Sequence, residues 1–169
     1  YSNTKINSIV LDNNLILQLG YIYNLDSADL LINLNYLVSK KTFLTVNFSS
    51  PNSFHKKRYN FYNSYIFGYK IGFSMLSAKY SSFLFGVHRN SIENHVNDKW
   101  YNIGLNNLYK FHGVHFLTNF IYSFNRNFIE KSISINSIWY LSKDLFINFG
   151  IGYTSIDRRT FSFELGLVL

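Results

Sequence analysis

The chain contains no cysteine, one proline and few charges, and each shortage narrows what it can be. Without cysteine there is no disulfide framework, no thiolate metal site and no cysteine nucleophile. Charged residues make up 15% of the sequence, well below the roughly 25% usual in soluble domains. No stretch approaches the roughly 20 consecutive apolar residues of a spanning helix, so any membrane crossing would have to use strands. The first residues also lack a charged start followed by an apolar run, so a signal peptide is expected to be absent or already removed. His55, His88, His95, His112 and His115 are scattered without metal-ligand spacing, and neither a metal nor any other cofactor is expected.

What is present is apolar and patterned. Hydrophobic residues make up 47% of the 169 positions and aromatics 20%, enough for one domain spanning 1–169. Phe, Tyr, Asn, Ile and Lys share A/T-rich codons, so the argument rests on position more than on totals. The clearest pattern closes the chain. Leu145, Ile147, Phe149, Ile151 and Tyr153 alternate with Asn148, Gly150 and Gly152. After a break, Phe161, Phe163, Leu165, Leu167 and Leu169 alternate with Ser162, Glu164 and Gly166. Side chains in a strand point to opposite faces with period two, so this reads as a hairpin with one oily face and one small, polar face.

A face turned to bulk water usually carries Lys, Glu, Thr and Arg, whereas this one carries Asn, Ser and Gly with a single carboxylate. That composition suits the crowded interior of a small barrel that is apolar outside. In this the chain resembles the bacterial outer-membrane β-barrel proteins, whose chains commonly end in such a strand. The family's last strand usually finishes on an aromatic residue read by the assembly machinery, and here it finishes on Leu169. The resemblance implies a bacterial outer-membrane location, contact with membrane lipid and lipopolysaccharide, delivery by that machinery, and a structural, porin-like transport or protein-interaction role.

The same alternation recurs along the chain. Outward rows are expected at Leu15 to Tyr23, Leu30 to Val38, Leu44 to Phe48, Tyr65 to Met75, Phe83 to Val87, Tyr101 to Leu105, Val114 to Phe124 and Ile133 to Leu141, before the final hairpin. Residues 1–13 read either as a strand left from a larger barrel or as an extension of the first row. The fold class is therefore all-β, an antiparallel up-and-down transmembrane barrel of about ten strands. Breaks at 39–41, 77–79, 109–113 and 142–144 are short and those at 49–60, 89–98, 125–130 and 154–160 longer. This predicts short turns at one end and loops at the other.

No Lys, Arg, Asp or Glu is expected within the outward rows. Tyr21, Tyr23, Tyr36, Tyr62, Trp100, Tyr122, Trp139 and Tyr153 are expected near their ends, where a membrane interface would hold them. The inward polar groups that could pair in the lumen are Asp29, Lys70, His88, His115 and Glu164. An ion in a closed interior needs a partner. The basic loop clusters Lys56-Lys57-Arg58 and Arg158-Arg159 suit lipopolysaccharide phosphates.

Three other readings compete. His88, Ser91 and Glu93 supply the residue types of a lipid hydrolase or acyltransferase, although His88 and Ser91 fall on opposite strand faces. A soluble lipocalin-like barrel would turn the aromatic rows inward around an apolar ligand. The net charge of +7 invites nucleic acid, but the charges sit at segment ends rather than along one stripe, so no nucleic-acid partner is expected.

Overall fold

The computed structural model describes residues 15–23, 28–52, 61–70, 78–92, 95–155 and 158–169; among these, the side chains of 49–52, 61–64, 70, 80, 89–98 and 158 are not described. Ten strands follow in order: β1 (Leu15–Tyr23), β2 (Ala28–Leu37), β3 (Thr42–Asn52), β4 (Phe61–Lys70), β5 (Tyr80–Ile92), β6 (His95–Phe111), β7 (Val114–Phe124), β8 (Ile129–Tyr140), β9 (Leu145–Thr154) and β10 (Arg158–Val168). Each pairs antiparallel with its neighbours in sequence, and β1 pairs with β10 to close the barrel. Closure leaves no unpaired edge. The seam runs through Leu17 opposite Leu167, Leu19 opposite Leu165 and Tyr21 opposite Phe163.

The alternation sets which wall each residue serves. Phe67, Phe85, Phe120 and Phe149 are outside, exposed by 44%, 50%, 42% and 49%. Their sequence neighbours Ile66, Leu84, Asn119 and Asn148 are buried. A ligand-carrying barrel would show the reverse, with the aromatic rows packed around its centre.

The interior is more apolar than the polar rows suggested. Ile16, Leu108, Leu117, Ile138 and Phe146 form one buried cluster, and Phe43, Ile66, Leu84 and Ile121 form a second. In both, an aromatic ring lies over a glycine on the paired strand: Phe146 covers Gly166 and Phe43 covers Gly68. The missing side chain makes the space that the ring fills, so tight packing here needs both members of each pair.

The connections differ from expectation. At one end they are 24–27, 53–60, 93–94, 125–128 and 155–157, and at the other 38–41, 71–79, 112–113 and 141–144. Neither end is consistently the longer. The polar stretch 89–98 was read as a loop, yet β5 and β6 pair through it, with Arg89 opposite Lys99 and Asn90 opposite Asp98. Strand pairing uses backbone groups, and polar side chains do not prevent it. The part of the predicted row through Ile71, Phe73 and Met75 lies outside the described residues, as do residues 1–14. The tightest described turn is at Phe111 to Val114, where His112 and Gly113 both have positive φ, 46° and 85°. That pattern matches the twist of a two-residue hairpin.

Candidate functional site

A belt of amides and hydroxyls with one carboxylate crosses the middle of the lumen, in phase with the buried positions of the strands that contribute to it. On β10 the buried Glu164 carboxylate accepts a hydrogen bond from Asn33 Nδ2 of β2 at 2.7 Å and another from Asn148 Nδ2 of β9 at 3.1 Å. β1 lies between β10 and β2, and the residue it presents opposite Glu164 is Gly20. A side chain there would strike the Glu164 backbone and Cγ. Glycine at that point lets one carboxylate bridge across a whole strand. Hydrogen bonds from two amides offset part of the cost of burying the carboxyl group.

The belt continues to both sides. Asn35 Nδ2 donates to Gln18 Oε1 at 2.9 Å, and Thr45 Oγ1 donates to Asn35 Oδ1 at 2.7 Å, joining β1, β2 and β3. On the far wall Asn106 Nδ2 donates to Asn119 Oδ1 at 3.0 Å and Asn119 Nδ2 to Ser134 Oγ at 3.2 Å, joining β6, β7 and β8. Asn136 Nδ2 also donates to Ser134 Oγ, at 3.4 Å. Asn suits this work because each amide can donate to one neighbour and accept from another.

His88 lies elsewhere in the lumen. It is fully buried, its Nδ1 stands 3.0 Å from Asn102 Oδ1, and its ring stacks on Trp100 with centroids 5.5 Å apart. Trp100 was expected at a membrane interface; its position in β6 instead has the inward phase, and only 5% of it is exposed. Asp29 is also buried, near the 24–27 connection. His115, by contrast, is half-buried by the 112–113 turn and meets the Tyr140 ring edge-on at 5.4 Å. The expected lumen residues are thus spread along the barrel. The Lys70 backbone pairs with Ser82, and its side chain is not described.

The remaining expected sites are only partly placed. The backbone of Ser91 lies in β5 at an irregularity between Asn90 and Ile92, its side chain is not described, and Glu93 lies outside the described residues. Lys56, Lys57 and Arg58 lie outside them too. Arg158 and Arg159 are not in a loop but open β10, and Arg159 is exposed on the outer wall. Lys99 and Lys131 are likewise exposed, one outward position before the rows that begin at Tyr101 and Ile133. Among the described residues no group of three or more His, Cys, Asp or Glu could hold a metal ion.

Glu130 was missed. It was read as part of a break, yet it is fully buried in β8, in phase with Ser132 and Ser134. Extending the inward alternation back from Ser134 by two periods would have found it. Outward-phase positions also hold an unforeseen buried polar group, in which Ser81 Oγ donates to Asn107 Oδ1 at 2.6 Å and Asn107 Nδ2 to Thr118 Oγ1 at 3.5 Å.

Compared with known proteins, the chain matches no family model and no curated protein. Among solved structures it is similar to a chain from the de novo design of transmembrane β-barrels. The two share 14% identity with a TM-score of 0.49, over 94% of this chain and 97% of that one.

Proposed function

We propose that this chain is an integral membrane β-barrel of a bacterial outer membrane, with a structural or interaction role at that membrane rather than one as an open pore. A single observation carries the reading: one closed surface exposes Leu19, Leu34, Phe67, Phe85, Ile103, Phe120, Ile135, Phe149 and Leu165, on every strand but β3. Contiguous apolar patches on soluble monomers rarely exceed a few hundred Å². A closed barrel also satisfies the backbone internally, as hydrocarbon demands.

The filled interior supports the second half of the proposal. The two apolar clusters and the amide belt are buried at several levels, and a barrel of this size holds side chains more readily than a water-filled channel. On this reading His88 with Ser91 and Glu93 has no catalytic role. The outer-membrane assembly machinery would insert the chain, and its rims would meet lipopolysaccharide or a protein partner.

Reconstitution tests both halves. The refolded chain should resist alkaline extraction from lipid vesicles, run with a shifted mobility when unboiled, and give no steady ion conductance in a planar bilayer. A monomer that stays in water without detergent and takes up an apolar dye would make it a soluble carrier. A stable conductance would make it a pore.

A further inference from the structure

Among the described strand side chains, Asp29, Glu130 and Glu164 are buried inside, whereas Lys99, Lys131 and Arg159 are exposed at the end of the barrel that holds the 155–157 connection and Lys110 is exposed at the opposite end. Among the described strand side chains no carboxylate faces outward.

Two of these cations stand on the strands either side of β9. Tyr153 of β9 pairs with Arg159 of β10 on one side and Ile133 of β8 on the other. Lys131 stands one outward position beyond Ile133 and is pinned to β9 by Ser155. The Ser155 N–H donates to the Lys131 carbonyl at 2.9 Å, and the Lys131 N–H donates to Ser155 Oγ at 3.0 Å. Arg159 therefore stands directly beside Tyr153, and Lys131 lies diagonally across from it on the other side, level with Ser155. Towards mid-barrel the same face continues as Ile133, Ile135, Ile151 and Phe161, all exposed.

A free phosphate would use the cations but not the apolar track beside them. An anionic lipid uses both, with its phosphate held by Lys and Arg, its interface lined by tyrosine, and its chain along isoleucine and phenylalanine. We propose that Lys131 and Arg159, flanking Tyr153, form a seat for the phosphate of one anionic lipid whose acyl chain runs along Ile133, Ile151 and Phe161. The seat rests on the membrane reading above and adds to it the class of lipid and the residues that hold it. Cations at this level avoid the penalty of charge at the bilayer midplane and gain from anionic headgroups.

The full chain, folded and inserted into nanodiscs of phosphatidylcholine with a minor fraction of phosphatidylglycerol, can be released and weighed by native mass spectrometry. One phosphatidylglycerol should be retained. Lys131→Gln with Arg159→Gln should weaken that retention roughly ten- to thirtyfold, at the contribution expected per basic residue near a charged surface. Lys131→Arg with Arg159→Lys should preserve it, and so should Lys40→Gln with Lys143→Gln at the opposite end. Inorganic phosphate at matched concentration should not displace the lipid. Equal retention by wild type and the Gln double variant would overturn the seat, as would displacement by inorganic phosphate alone. A wild-type chain that fails to insert brings down the membrane reading and the seat together; insertion with unselective lipid retention removes only the seat.

Discussion

On β9, Phe146, Asn148 and Gly150 are buried while Phe149 and Ile151 are exposed, and the two sets are held by different forces. The inner residues are fixed by partners within the chain: a ring over Gly166, an amide on Glu164, a glycine crowded by Ser162 and Asn136. The outer residues have few such partners, and on the membrane proposal their stabilisation comes from the surrounding lipid. The inner wall should therefore be sensitive to volume and lost hydrogen bonds. The outer wall should tolerate changes of shape and resist charge.

The largest effect is expected inside. Phe146→Ala removes the ring that fills the space over Gly166 and packs against Ile16, Leu108, Leu117 and Ile138. It should cost about 3–5 kcal/mol, read from denaturant unfolding in lipid vesicles. An unchanged midpoint would mean that this end of the lumen is not packed. On the outer wall, Phe149→Arg should cost about 2–4 kcal/mol in lipid, whereas Phe149→Leu should shift the midpoint far less. Similar losses for both would show that shape, not charge, governs the outer wall.

Glu164→Ala should cost about 1–3 kcal/mol, because it strands the Asn33 and Asn148 amides. Glu164→Gln should recover part of that loss, since one acceptor oxygen remains. Full recovery would show that the charge itself contributes nothing. The smallest effect belongs to a turn that serves neither wall. Ser142 Oγ accepts the N–H groups of Asp144 and Leu145 at 3.3 and 3.1 Å in an exposed connection. Ser142→Ala should cost about 0.5–1.5 kcal/mol by the same unfolding measurement, and a larger loss would mean the turn sets the register of β8 and β9.

Much of this two-walled arrangement is legible in the sequence, because the period of a strand is fixed by backbone geometry. The rows through Phe67, Phe85, Phe120 and Phe149 all emerge on the outside as expected. The apolar part of the lumen was less legible. Ile16, Leu31, Leu84, Leu117 and Ile138 are as oily as their outward neighbours, and only phase, not hydropathy, sends them inside. Trp100 and Glu130 were misplaced for a related reason, since each lies just beyond a row taken to have ended. Strand ends were the least legible feature. The backbone bonds joining β5 to β6 beyond His88 leave no mark in side-chain polarity.

In the belt, the inward phase of Gln18, Asn33, Asn35, Asn119 and Asn148 follows from alternation alone. Their partners do not. That Glu164 reaches Asn33 depends on closing β1 against β10 and on Gly20 between them, a contact 131 residues apart in the chain. The cations Lys131 and Arg159 were legible as charges at row ends, but their placement on either side of β9 needs the register of three strands.

The chain's two tryptophans stand on opposite walls, Trp139 exposed by 50% and Trp100 by 5%. Single-tryptophan variants, Trp100→Phe and Trp139→Phe, inserted into vesicles with brominated acyl chains, report directly on which wall meets lipid. Strong quenching of Trp139, with Trp100 protected from both the bromolipid and aqueous acrylamide, is the outcome this account predicts. Quenching of Trp139 by acrylamide alone, with no response to bromolipid, would place the oily wall in water and contradict it.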